Sequence, residues 1–157
     1  MHLQTQIYKS NLPKTFVLSV VLVLFSLYSN TIGINNSSFG FYALFSNTTA
    51  INNTAVGHQA LYNNTTDRNS AFGYKALQNN SIGVSNTAVG HQSLQSNTTG
   101  NYNTSVGVNC LNANTFGKYN TAVGVNALLY NTTGNNNSGF GYAALKANTI
   151  GINNSAF

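Results

Sequence analysis

Short apolar pairs recur along the chain from residue 30 to its C-terminal end, separated by glycine, asparagine, serine and threonine. In residues 121–137 (TAVGVNALLYNTTGNNN) the pairs are Ala122-Val123 and Ala127-Leu128. No apolar stripe with a period of 3.6 residues runs through this unit, and glycine and asparagine disfavour helix interiors. The pattern therefore predicts two strands of about four to five residues per unit, joined by turns in which glycine and asparagine accept positive φ.

These pairs belong to a repeat with a period of 17 residues, shortened once to 16 near Asp67. Such a unit predicts a parallel β-solenoid, or β-roll, in which each strand pairs with its equivalent in the next turn, here called a rung. About seven rungs of about 4.8 Å give a rod about 34 Å long, and asparagines in register allow side-chain amide ladders along it. Three columns mark the repeat: Gly40, Gly57, Gly73, Gly90, Gly107, Gly124 and Gly141; Leu44, Leu61, Leu77, Leu94, Leu111, Leu128 and Leu145; and Asn30, Asn47, Asn64, Asn80, Asn97, Asn114, Asn131 and Asn148.

The apolar pairs also bear on assembly. Adjacent residues of a strand point to opposite faces, so a strand that contains Ala88-Val89 has two apolar faces. One apolar face packs inside the narrow coil. The other face can be buried only against a second chain, which favours an oligomer. The alternative is that one member of each pair lies in a turn, which leaves a monomeric coil.

The N-terminal segment differs from the repeat. Residues 1–15 are polar with two lysines, and residues 16–28 (FVLSVVLVLFSLY) form an apolar run that is too short for a bilayer-spanning helix. This pattern is typical of a secretory signal peptide and predicts export to the cell surface or beyond. We therefore divide the chain into a leader with an apolar helix at 1–29 and a repeat domain at 30–157; an uncleaved signal anchor and a buried apolar helix are the alternatives.

Composition removes whole classes of chemistry. Charged residues make up 4% of the chain, and Asp67 is its one acidic side chain. Paired-carboxylate catalysis and Ca²⁺ or Mg²⁺ cages therefore lack their groups, and His2, His58, His91 and Cys110 do not have the spacing of zinc ligands. We expect no enzyme, no cofactor and no metal. The net charge of +5 is scattered, so it predicts no nucleic-acid partner.

The motif Asn-Thr-Ala-Val-Gly-x-x-Ala-Leu at residues 53–61, 86–94 (with Ser93 for alanine) and 120–128 resembles the head repeat of YadA-like trimeric autotransporter adhesins. Similar repeats occur in other bacterial surface proteins and in phage tail-fibre proteins. The resemblance covers about residues 30–157 and implies a left-handed parallel β-roll, assembled as a homotrimer and displayed outside the cell for attachment. The chain stops at Phe157, one residue before the expected glycine, which predicts a fragment of a longer fibre.

Several side chains are candidates for a ligand face. Aromatic rings and imidazoles beside the glycine column could bind a host protein or a glycan, or they could pack from rung to rung; they are Phe41, Tyr74, Tyr142, His58 and His91. Further tyrosines occupy variable positions: Tyr62, Tyr102, Tyr119 and Tyr130. Cys110 stands in an alanine column and is expected to be a small buried residue.

Two recurring polar patterns have weaker functional meanings. Asn-x-Ser/Thr triplets, at Asn47, Asn97 and Asn131 among others, match glycosylation acceptors, and the Thr-Thr pairs form a hydroxyl array of the kind found in ice-binding solenoids. Ile82, Phe116 and Ile150 interrupt that array. The sequence thus favours a secreted or surface-displayed, non-catalytic β-roll that mediates attachment and makes no membrane contact through its repeats. The alternative is a structural filament or tail-fibre spacer without a ligand site.

Overall fold

The structure, a computed structural model, describes residues 25–157. It contains one sheet of eight short parallel strands in the order in which they follow along the chain, so every strand pairs with its equivalent one rung away. The predicted all-β parallel solenoid of about seven rungs is confirmed, whereas the predicted apolar helix falls mainly outside the described residues. The strands are β1 (Ser37–Phe39), β2 (Thr54–Val56), β3 (Ser70–Phe72), β4 (Thr87–Val89), β5 (Thr104–Val106), β6 (Thr121–Val123), β7 (Ser138–Phe140) and β8 (Ser155–Ala156).

Each rung contributes one strand of two or three residues, not two strands of four to five. The Ala-Leu segment predicted as the second strand is a pair of turns: the Ala60 amide donates to the Gly57 carbonyl, and the Asn64 amide donates to the Leu61 carbonyl. Gln59 and Leu61 have φ of 56° and 52°, a left-handed conformation that a strand does not contain. The rungs are nevertheless joined here, because the Leu61 amide donates to the Ala76 carbonyl at 3.0 Å.

Burial of the leucine side chains stabilises this unusual backbone. A left-handed conformation costs a residue that has a Cβ about 1–2 kcal/mol. Leu61 and Leu94 are fully buried, which returns about 1.5–3 kcal/mol each. They pack against alanines of the strands, such as Ala55 and Ala88, so the core is a single narrow column inside the coil. The leucines of the turns and the alanines of the strands therefore form a buried apolar core without a second strand in each rung.

Two buried columns of asparagine fill the other side of the coil. In the predicted column, the Asn97 Nδ2 donates to the Asn80 Oδ1 at 2.7 Å and to the Gly100 carbonyl at 2.9 Å. In the second column, each Oδ1 accepts the backbone N–H of the next asparagine, as in the bond from the Asn103 amide to the Asn86 Oδ1 at 3.0 Å. The amide ladders expected from the sequence are thus present. The second column is Asn36, Asn53, Asn69, Asn86, Asn103, Asn120, Asn137 and Asn154.

The missing residue is absorbed by a turn, as the sequence predicts, but it breaks the first ladder. The Asn64 Nδ2 donates to the Thr66 carbonyl, two residues on, where its equivalents bond the carbonyl three residues on. As a result the Asn47 Oδ1 and the Asn53 Nδ2 are buried without a hydrogen-bond partner in the described part of the chain. Strand pairing continues past the break, with Ala55 opposite Ala71.

The coil begins before residue 30. Leu27 has φ of 53°, packs against the core and donates its amide to the Ala43 carbonyl at 3.0 Å, as the leucines of later rungs do. Residues 25–29 are therefore in contact with the first rung, although the sequence analysis assigns them to the leader. The division of the chain at residue 29 itself stays a prediction.

Candidate functional surfaces

An apolar column runs along the outer face of the sheet. The third residue of each strand points away from the core, while the second points into it: Val89 is 38% exposed beside a fully buried Ala88. We call this set the sheet-face column; its members are exposed except Val106 and Val123, which are half-buried. Its members are Phe39, Val56, Phe72, Val89, Val106, Val123 and Phe140, together with Phe157, which follows β8 and stacks on Phe140.

Four of the five predicted ligand-face residues form one continuous stack. Ring centroids lie 5.6 Å apart between Phe41 and His58, 5.4 Å between His58 and Tyr74, and 5.0 Å between Tyr74 and His91, with planes tilted by 15–22°. Because neighbouring rings cover each other's faces, the stack presents mainly ring edges to solvent. Tyr142, 81% exposed, stands apart from it.

This arrangement does not form a metal site. The ring of Tyr74 lies between His58 and His91, so the two imidazoles cannot share an ion. The described residues also contain no group of three histidine, cysteine, aspartate or glutamate side chains close enough to hold one. The Nδ1 atom of His58 is buried without a hydrogen-bond partner in residues 25–157. The histidines therefore act as flat rings in a packed column.

Cys110 is fully buried, as its alanine column predicts. Burial raises the pKa of its thiol above the ordinary value, although a hydrogen bond with Ser105 acts in the opposite direction. The Ser105 Oγ donates to the Cys110 carbonyl at 2.8 Å, and the Ser93 Oγ lies 2.6 Å from the Ser105 Oγ. A protonated, inaccessible thiol is a poor nucleophile and is not placed for cross-linking between chains.

The recurring polar patterns serve the fold itself. Asn47, Asn97 and Asn131 are fully buried in the first amide ladder and are closed to glycosylation in the folded chain. In three of the four Thr-Thr pairs the first threonine donates its hydroxyl to the backbone of the next rung, as Thr98 does to the Thr115 carbonyl at 3.1 Å, and Thr66 donates in the same way to the Gly83 carbonyl. Half of the supposed ice-binding hydroxyls are therefore used between rungs.

Shorter aromatic stacks occupy other corners of the coil. Tyr28, Phe45 and Tyr62 stack at 5.3 and 5.2 Å, and Tyr102 stacks on Tyr119 at 5.1 Å with planes only 3° apart. Tyr102 and Tyr119 belong to a set with one residue per rung, here called the Tyr102 column, which also contains Arg68 and Ser85; the sequence pattern did not group these four residues. The signal that would have grouped them is their position, since each stands two residues before the first residue of the following strand.

Comparisons with protein-family models, curated proteins and solved structures gave no match to this chain. Residues 25–157 also form no helix of the length and hydropathy needed to cross a bilayer.

Proposed function

We propose that this chain is an exported, non-catalytic β-solenoid that associates with copies of itself through the sheet-face column and serves in attachment at a cell surface. The observation that carries the proposal is the sheet-face column itself. Every strand from β1 to β7 ends on valine or phenylalanine at the outward position. Monomeric proteins rarely leave so long an apolar strip in water.

Self-association is supported by the geometry of that strip. Val56, Phe72 and Val89 are between 36% and 41% exposed, and they follow one another at the spacing of the rungs. A second rod with the same spacing meets every member of the column in register, so each contact is repeated along the interface. Repetition of equal contacts between equal chains is typical of symmetric homo-oligomers. The trimer and the left-handed coil implied by the adhesin-like repeats belong to the same proposal.

Two further properties of the rod, its hydrogen-bonded interior and its exposed tyrosines, support a role in attachment. Most buried polar groups are engaged in the amide ladders and the threonine bonds between rungs, which makes the rod a rigid support. Its surface carries exposed tyrosines among amides and hydroxyls, a chemistry suited to glycans and proteins. Among residues 25–157, no group of three histidine, cysteine, aspartate or glutamate side chains could hold a metal ion.

Light scattering during size-exclusion chromatography tests the assembly. The purified chain should elute as a trimer, and Val89→Asp should convert it to monomer because a charge would be buried at the interface. Thr133→Asp, which places the same charge on an exposed turn away from the strands, should leave the trimer intact. A wild-type chain that is monodisperse as a monomer would refute the self-association.

A binding screen tests the attachment role. Beads that carry the purified oligomer should bind at least one member of a panel of glycans, matrix proteins and cells, and beads that carry an unrelated β-solenoid should not. Absence of binding across the panel, with the trimer intact, would favour the purely structural filament or tail-fibre spacer.

A further inference from the structure

In the Tyr102 column, one face of the Tyr102 ring has no aromatic neighbour, and Arg68 lies two rungs away on that side. Successive rungs are in register there: the Ser85 amide donates to the Asp67 carbonyl at 3.3 Å, and the Tyr102 amide donates to the Val84 carbonyl at 3.1 Å. Arg68, Ser85, Tyr102 and Tyr119 therefore follow one another along the rod, one per rung. All four have φ between 57° and 60°, so their side chains leave the backbone in the same way.

The two tyrosine rings set the direction of the column. Their centroids are 5.1 Å apart and their planes differ by 3°, so the rings lie across the rod and their faces point along it. Tyr119 covers one face of Tyr102. The other face looks towards Ser85, whose side chain is too small to cover a ring, and Tyr102 is 49% exposed.

Arg68 occupies the same position of the rung on the far side of Ser85. It lies two rungs from Tyr102, which corresponds to about 10 Å along the rod, or room for one flat ring between the two side chains. Arg68 is exposed, and the neighbouring Asp67 is engaged elsewhere, since its Oδ1 accepts the Ile51 amide at 2.9 Å. Ser85, which is half-buried, occupies the rung between Arg68 and Tyr102.

We propose that Arg68, Ser85 and Tyr102 form a binding slot for a sugar ring that bears a carboxylate, such as a uronic or sialic acid. The sugar ring packs on the free face of Tyr102, the guanidinium of Arg68 pairs with the carboxylate, and the Ser85 hydroxyl bonds a ring substituent. A neutral sugar cannot form the ion pair with Arg68, and a short aliphatic acid has no ring to pack on Tyr102. The assignment deepens the proposed attachment function and rests on it for the class of partner, a glycan.

Titration of the purified chain with small ligands tests the slot directly, observed by tyrosine fluorescence and saturation-transfer NMR. Methyl β-glucuronide and N-acetylneuraminic acid should bind at least about tenfold more tightly than methyl β-glucoside or acetate, because a hydrogen bond to a charged group is lost in the neutral sugar. Failure of both sugar acids to bind at about 10 mM, a concentration that detects even very weak complexes, would overturn the proposal. Equal binding of benzoate and of the sugar acids would overturn the assignment to a sugar.

Two matched tyrosine substitutions locate the site. Ser85→Tyr extends the stack into the slot and should reduce sugar-acid affinity at least about tenfold, whereas Asn136→Tyr extends the same stack at its other end and should leave affinity unchanged. Both positions have the φ at which Tyr102 and Tyr119 already stand, so both variants are expected to fold. Arg68→Asn, which copies Asn52 of the preceding rung, should remove the preference for the carboxylate.

The outcomes separate the slot from the attachment function. Wild-type affinity in the Ser85→Tyr variant would refute the slot, even where beads carrying the chain still attach in the panel. Absence of attachment in the panel would refute the proposed function, while the small-ligand titration still decides whether the slot exists.

Discussion

The first amide ladder predicts that one substitution has unequal effects at two positions of the same column. Asn97 and Asn47 are both fully buried and both belong to the predicted asparagine column. Asn97 makes three ladder hydrogen bonds: its Nδ2 donates to the Asn80 Oδ1 and the Gly100 carbonyl, and its Oδ1 accepts from the Asn114 Nδ2 at 2.8 Å. Asn47 makes two, and its Oδ1 has no partner in residues 25–157.

The expected magnitudes follow from these bonds. Asn97→Ala removes three bonds worth about 1 kcal/mol each and leaves the Asn80 Oδ1 buried without a donor, for a loss of about 3–5 kcal/mol in the free energy of unfolding. Asn47→Ala removes two bonds, one of them to the half-buried Asn30, and it also removes an acceptor that was already unpaired. Its loss should be about 1–3 kcal/mol, so the two variants should differ by about 2 kcal/mol.

Urea unfolding followed by far-ultraviolet circular dichroism, at one fixed protein concentration, measures both values. Asn63→Ala is the matched control, because Asn63 is exposed and its side-chain bond to Asn79 is 3.3 Å long; its effect should stay below about 0.5 kcal/mol. Equal losses for Asn97→Ala and Asn47→Ala would show that the ladder bonds do not set the stability of the rungs, and the argument would fail.

Three further predictions concern the core and the turns. Leu94→Asp places an unpaired charge in the fully buried leucine column and should lower the free energy of unfolding by several kcal/mol in the same assay; a fully stable variant would mean that this column faces water. Gly107 has φ of 136° and a Cβ there would clash with the Gly124 carbonyl, so Gly107→Ala should cost about 2–4 kcal/mol; Gly141→Ala, with φ of 118° and open space around its Cβ, should cost about 1–2 kcal/mol, and equal values would contradict the clash. The Cys110 thiol should react with a thiol reagent only after unfolding, and because its folded pKa is raised, its contribution to stability should be complete below about pH 8.5 and lost as the pH rises through the folded value; rapid labelling of the native chain would contradict its burial.

The repeat period was sufficient to predict the solenoid, its parallel pairing and its amide ladders, because columns of identical residues can be aligned in only one register. The length and number of strands were not predictable in the same way. Ala60 and Leu61 look like a strand pair in the sequence, and the left-handed φ of Leu61 is not a conformation that leucine favours. Burial in the column of leucines overrides that preference, and this tertiary effect is invisible in a single repeat.

The surface candidates were predictable only as a set of residue types. The sequence identified Phe41, His58, Tyr74 and His91 as neighbours along the rod, and the structure brings them into one stack. Whether a ring offers its face or its edge depends on the side chains one rung above and below. That information requires the register of every position, and the glycine, leucine and asparagine columns do not show which position the shortened unit lacks. Arg68 lies beside that missing residue, so its relation to Tyr102 was missed.

Position along the rod explains why the aromatic rings are not all equivalent. Phe45 stacks on Tyr62 at 5.2 Å across the two rungs between which the first amide ladder is interrupted, and Phe41, His58 and Tyr74 span the same region. An aromatic pair contributes about 0.5–1.5 kcal/mol, comparable with the ladder bond that is absent there. These rings therefore hold successive rungs together with their faces, and a ligand would have to separate them. Tyr102 has a face that no neighbouring ring uses, so a ligand can bind it without disturbing the coil.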